Sequence, residues 1–144
     1  MKTSLRSVYM LILLAAVISL GFRFYKNSQP LAFTQYSSDL RDHALEKGQC
    51  VLVTLYANWT VNTSDPTRWL SHDVTIRARA RNILPLSADW TNHAPQVTEL
   101  MDELKLKSVP AIVIYDPRNP SAPKIIEGQP TVQETLNAIA SCCD

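Results

Sequence analysis

Apolar residues follow two regimes along this chain. From Ser7 to Phe22 they run almost unbroken and without a charge, flanked by Lys2 and Arg6 before and Arg23 and Lys26 after. Beyond Pro30 they recur in short blocks at helical and strand periods. Ser37-Ser38-Asp39 offers a cap for a helix whose stripe is Leu40, Ala44 and Leu45 and which Gly48 ends. Cys50 to Ala57 is β-branched and apolar on both faces, which predicts a strand covered on both sides. Asp65-Pro66 predicts a helix start, with Asp as N-cap and Pro in the first turn. That helix would carry Trp69, Leu70, Val74 and Ile76 inward and reach about Asn82, unless Ser71-His72-Asp73 interrupts it. Ile83 to Trp90 is the second strand, and Pro85 places it at an edge or confines the proline to its first part. Thr91 to Pro95 is a turn and cap. Val97, Leu100, Met101, Leu104 and Leu106 then mark an amphipathic helix. Pro110 opens a third strand over Ala111 to Tyr115, Asp116 to Pro120 turns, and Lys124 to Glu127 is a short last strand. Thr131 caps a final helix through Leu136 and Ile139.

Strand-helix-strand units imply a parallel part with right-handed crossovers, and the last two strands are close enough for a hairpin. The expected class is therefore a mixed α/β sandwich. The chain has 144 residues, enough for one core once the first thirty are set aside.

Those thirty residues have their own logic. A spanning helix needs about 17–25 apolar residues. The Ser7–Phe22 run is short for that, but a snorkelling Arg23 and the aromatic Phe22, Phe24 and Tyr25 extend its reach. One N-terminal transmembrane helix is the favoured reading. A cleaved signal peptide and a buried soluble helix are the rivals. The expected division is 1–26 as membrane anchor or signal segment, 27–36 as a linker broken by Pro30, and 37–144 as the folded domain. The slight excess of positive charge at the amino terminus favours a cytoplasmic start, with the domain on the far side of the membrane.

Composition removes several functions. A net charge of +1 offers no bulk attraction for nucleic acid, and none is expected as a partner. His43, His72 and His93 lack metal-ligand spacing, and the three cysteines make neither a C-x-x-C nor a zinc pattern, so no metal and no cofactor are expected. Cys50 opens a strand and reads as a small hydrophobe. Cys142-Cys143 beside Asp144 reads as a frayed helix end, or as two thiolates that could capture a soft metal ion or exchange with a partner. Arg77, Arg79 and Arg81 form a basic stretch that suits a solvated helix C-terminus, with contact to anionic lipid as the other reading.

Three stretches carry a family resemblance. Val53 to Trp59 looks like the strand that leads to a thioredoxin active site. Leu86-Ser87-Ala88-Asp89-Trp90-Thr91 is similar to the second central strand in the C-terminal domain of the DsbD family of thiol:disulfide interchange proteins. Ser108-Val109-Pro110 before an apolar strand looks like the cis-proline loop of that fold. The resemblance covers roughly Leu40 to Ala140. It implies a thioredoxin-like three-layer sandwich with a mixed sheet, and a cis Pro110.

The resemblance also implies Trp-Cys-x-x-Cys where this chain has Trp59-Thr60-Val61-Asn62-Thr63. Disulfide exchange needs a thiolate as attacking group, and a helix N-terminus stabilises it. A threonine hydroxyl neither ionises near neutral pH nor forms a mixed disulfide. No catalytic residue is therefore expected there. Two readings of Thr60 and Thr63 stay open: helix caps, or part of a retained partner-binding surface with Trp59, Val109 and Pro110. The proline loop either sets the strand's entry or offers backbone to an extended partner segment. The function implied is a non-catalytic binding or assembly factor in envelope thiol metabolism. It would sit in a bacterial inner membrane as a single-pass protein, its domain facing the periplasm, with a protein partner in the envelope. The alternative is a thiol:disulfide oxidoreductase or soft-metal binder using Cys142 and Cys143.

Overall fold

The chain forms five strands: β1 (Thr34–Gln35), β2 (Val51–Tyr56), β3 (Leu84–Asp89), β4 (Ala111–Tyr115) and β5 (Lys124–Glu127). The structure is a computed structural model and describes residues 5–28, 30–60 and 70–142. The strands form one mixed sheet in the order β1-β3-β2-β4-β5. β3 runs parallel to both β1 and β2, whereas β2–β4 and β4–β5 are antiparallel. β2 lies at the centre, and Val51 to Leu55 are all buried. That explains its largely apolar character, since neither face meets water.

Alternation along β2 divides the core. Val51, Val53 and Leu55 face one cluster, which takes Ala44 from α2 (Ser38–Glu46) and Val97, Leu100 and Met101 from α4 (Pro95–Leu104). Cys50 and Leu52 face the other, which takes Val74 and Ala78 from α3 (His72–Ala80) and Ala138 and Ile139 from α5 (Val132–Cys142). Two helices thus cover each face, giving the three layers expected from the sequence. Each large side chain buried this way stabilises the fold by about 1.5–3 kcal/mol. Thr54 is the polar exception on β2, and its hydroxyl donates to the Leu86 carbonyl at 3.3 Å.

Several boundaries differ from the sequence reading. Thr34-Gln35, inside the expected linker, pairs with Leu86 and Ser87, and Tyr36 N donates to the Ser87 carbonyl at 2.8 Å. The domain fold therefore begins before residue 37. Two polar residues carry no readable period, so only the sheet reveals this strand. Ser71 does not interrupt a helix but caps one: its hydroxyl accepts from Val74 N at 3.4 Å. The expected start at Asp65-Pro66, and Trp69, lie outside the described residues. Ile76 is exposed rather than inward, and Thr75 and Ala78 join Val74 on the buried side. Pro85 sits in an interior strand, near its start. Leu84 N and Trp90 N donate towards β2, so the even positions of β3 face that neighbour and Pro85 faces the β1 side, where pairing starts only at Leu86. The missing N–H leaves no gap in the ladder. Thr131 caps α5 as read. Glu134 Oε2 accepts from Thr131 N at 2.9 Å and from its hydroxyl at 2.7 Å, while Glu134 N donates back at 3.2 Å. This reciprocal capping box holds the Glu134 carboxyl below the usual range, chiefly through the Thr131 N–H.

A polar brace on the α2/α4 face has no sequence signature. Arg41 Nη1 lies 3.2 Å from the Tyr36 hydroxyl, 3.2 Å from Glu103 Oε2 and 3.5 Å from the Tyr115 hydroxyl. Its Nε donates to Asp42 at 2.7 Å, and its guanidinium stands 5.3 Å from the Tyr115 ring centroid. One side chain from α2 thereby ties β1, β4 and α4 together.

The first thirty residues form a separate unit holding α1 (Leu5–Ser28). Apolar side chains stand exposed around it, among them Leu11, Ile12, Val17 and Leu20. Among the described residues no helix is long and apolar enough to cross a membrane. The uncharged run of α1 covers about 24 Å at 1.5 Å per residue, against a hydrocarbon thickness of roughly 30 Å.

Candidate functional site

β2 ends in a turn that presents the expected surface. Ala57 is buried, whereas Asn58 and Trp59 are exposed. Thr60 closes the turn: its N–H donates to the Ala57 carbonyl at 3.2 Å and its hydroxyl to the same oxygen at 2.7 Å. The side chain therefore donates within its own turn. Thr63 lies outside the described residues.

β3 runs beside β2 and delivers a second turn to the same end of the sheet. Trp90 N donates to the Tyr56 carbonyl at 2.8 Å. Asn58 N donates to Thr91 Oγ1 at 2.9 Å, and that hydroxyl in turn donates to the Asp89 carboxylate, which also accepts from Thr91 N at 2.8 Å. Trp90 sits between two rings: Trp59 at 5.9 Å, tilted by 57°, and His93 at 4.6 Å, edge-on. The Trp90 indole N–H donates to Thr98 Oγ1 at 3.2 Å. Trp59 is thus a ring 57 % exposed but backed by a second, anchored ring.

The third wall comes from the entry to β4. The Val109-Pro110 peptide is cis, as expected. Leu55 pairs with Ala111 in the β2–β4 register, so continuing it places Pro110 opposite Tyr56 and Val109 opposite Ala57. Val109 shares a core cluster with Ala57 and Trp90, and the Pro110 carbonyl accepts from Gly128 N at 2.8 Å. Trp59, Thr60, Val109 and Pro110 therefore gather at one end of the sheet. The sequence reading did not assign Trp90, Thr91, Asp89 or His93 to this surface. Asp89-Trp90-Thr91 was visible as a strand end, but pairing of the two turns depends on the β2–β3 register. His93 adopts a φ of 51°, and no local signal predicts that a histidine would turn back onto Trp90.

The cysteines lie elsewhere. Cys50 precedes β2 and Cys142 ends α5, so about 20 Å of strand separates them from the Trp59 turn. Cys50 is buried in the α3/α5-side core, as its reading as a small hydrophobe predicts, and it is also disulfide-bonded. Cys142 is a free thiol, 9 % exposed and held in the α5 core contact rather than on a frayed end. Cys143 lies outside the described residues. Among the described residues, no group of three potential ligands could hold a metal ion.

Comparison with known proteins agrees with this geometry. A family model described as thioredoxin-like matches residues 32–117. The thiol:disulfide interchange protein DsbD of Klebsiella pneumoniae is 28% identical over 123 residues, covering 78% of this chain and 21% of that protein. DsbD of Photorhabdus laumondii is 26% identical over 107 residues, covering 73% of this chain and 17% of the relative. This chain thus spans about a fifth of the length of these relatives. The oxidised C-terminal domain of Neisseria meningitidis DsbD superposes with a TM-score of 0.59 at 15% identity, covering 77% of this chain and 99% of that domain. A Thermus thermophilus thioredoxin gives a TM-score of 0.54 at 19% identity, covering 80% of this chain and 88% of the other. The strand order, the cis-proline and the matched model agree: the chain belongs to the thioredoxin-like family and is related to DsbD.

Proposed function

We propose that this domain binds a protein partner of envelope thiol metabolism through its Trp59–Pro110 end and does not itself exchange disulfides there. The observation that carries the reading is Thr60. It occupies the turn after β2, next to Trp59, on the end of the sheet that also holds the cis-proline. An alcohol there keeps the turn closed through the Ala57 carbonyl but cannot attack a disulfide. The exposed Trp59 ring, backed by Trp90, supplies rigid apolar area of the kind that anchors protein contacts.

The test is catalysed reduction of insulin by dithiothreitol. The chain is expected to run at the uncatalysed rate, whereas a Thr60→Cys, Thr63→Cys variant should accelerate it. Catalysis by the unmodified chain would overturn the proposal. If that catalysis disappeared in Cys142→Ser, the alternative use of the C-terminal cysteines would take its place.

A second part of the proposal concerns α1. Its apolar side chains are exposed around the helix, and basic residues flank the uncharged run. Flanking aromatic and arginine side chains can make up the few ångströms by which that run falls short of a bilayer. We propose a single-pass inner-membrane anchor, with the domain in the periplasm. The full chain should stay in the membrane pellet after alkaline carbonate extraction. Release into the supernatant would rule the anchor out.

A further inference from the structure

We propose that the α3/α5 layer docks on the anionic lipid surface of the membrane that carries the chain, with Arg77 at the headgroup phosphates and Ile76 against the upper acyl carbons. The outward stripe of α3 is Asp73, Ile76, Arg77 and Ala80, spaced at i, i+3, i+4 and i+7, while Val74, Thr75 and Ala78 turn to the core. A helix face that meets only water carries polar side chains. This one sets Ile76, 36% exposed, and the exposed Ala80 beside a guanidinium. Among the described residues Arg77 makes no ion pair, so its charge is available to a phosphate. A groove of about 370 Å³ between α3 and α5 is lined by those four residues and Leu136. An apolar stripe with a basic side chain at its edge is the pattern of a helix that lies at a bilayer interface.

Charge separates the two helix layers. α2 and α4 carry three carboxylates each, against Arg41 and the C-cap residues Lys47 and Lys105. α3 and α5 carry Asp73 and Glu134, against Arg77, Arg79 and the C-cap residue Arg81. The first layer is net negative and the second net positive. Glu134 is also turned back onto Thr131, at the N-terminal end of α5. An anionic surface therefore repels the α2/α4 layer and attracts the α3/α5 layer. The chain enters the domain on the same side: Leu31 and Phe33 pack against the cluster of Val74, Ala78 and Ile139. Residues 29–33 are all that separates α1 from β1, and five extended residues reach about 17 Å at most, so an anchored chain keeps the domain close to lipid. Each basic side chain near an anionic surface favours the docked population by about fivefold.

The inference rests on the anchor reading of α1 and goes beyond it, to the side of the domain that meets the bilayer. The test places a photo-crosslinking residue at Ile76 in the full chain, reconstituted in nanodiscs of phosphatidylcholine with or without phosphatidylglycerol. Mass spectrometry should find lipid adducts in the anionic discs and at least about fivefold fewer in the neutral ones. Arg77→Gln should lower the yield in anionic discs by about fivefold. Salt at about 1 M, where screening is nearly complete, should abolish the difference between the two lipids. The same crosslinker at Glu99, exposed on α4, should give few adducts in either. Equal yields in the two lipids, an undiminished yield in Arg77→Gln, or as many adducts from Glu99 as from Ile76 would each overturn the proposal. Discs that fail to retain the chain would overturn the anchor and this proposal together, whereas chain-bearing discs without adducts at Ile76 would overturn this proposal alone. None of these outcomes depends on whether the Trp59 end binds a partner.

Discussion

Arg41→Ala is expected to lower the unfolding free energy by about 2–3 kcal/mol, read as a shift in denaturant midpoint at unchanged m-value. The Arg41 side chain is 12% exposed, whereas Asp42 and Glu103 are each 56% exposed. Removing the guanidinium lets both carboxylates return to water, so the loss stays below the full cost of breaking a buried pair. The main loss is the shared contact with the Tyr36 and Tyr115 hydroxyls and with the Tyr115 ring. The same cluster sets an alkaline limit. Burial pushes the Tyr36 phenol up to about 12, against the opposing pull of Arg41, and burial likewise raises Tyr115. A raised folded-state value means that the folded chain holds a proton the unfolded chain has released. Stability from Tyr36 is therefore fully present below pH 10 and is lost as pH rises from 10 towards 12. In Arg41→Ala the opposing positive charge is gone, so the loss should extend to still higher pH. A Tm that stays constant across that window in the unmodified chain would contradict the assignment.

Trp59→Ala should weaken partner capture by about 30-fold or more while changing fold stability by less than about 1.5 kcal/mol. The ring is more than half exposed, and its visible aromatic neighbour is Trp90, so the fold gains little from it. A partner segment laid against the Val109-Pro110 strand entry would cover that ring and drive its remaining area from water. A photo-crosslinking residue at Asn58, which is exposed, reports capture in cells without removing the tryptophan. Adduct yield at limiting partner should collapse in the Trp59→Ala background, with the protein still fully folded at the assay temperature. Equal yields in the two backgrounds would remove Trp59 from the binding surface. A loss of adduct matched by a loss of folded protein would make the ring structural.

Much of this was legible in the order of residues, and the exceptions have identifiable causes. β2, β4 and β5 and the α4 and α5 stripes were legible because period and side-chain branching are local properties. The cap at Thr131 was legible for the same reason, and the cis bond at Pro110 was legible through the family resemblance of the Ser108-Val109-Pro110 loop. β1 was not, because two polar residues become a strand only when β3 offers its edge. The Arg41 brace was not, because Glu103 stands 62 positions away and Tyr115 stands 74. The Trp59–Trp90–His93 stack likewise required two turns from neighbouring parallel strands to meet.

By itself the sequence determined most of the elements, the mixed α/β class, the apolar N-terminal helix and the absence of sulfur at Thr60 and Thr63, since each is written in residue type and local spacing. Only the tertiary structure decided which turns share an end of the sheet, that the Cys142 thiol is buried and which charges are shielded. Those depend on distances between residues far apart in the chain, which register and helix packing set and which no local pattern encodes.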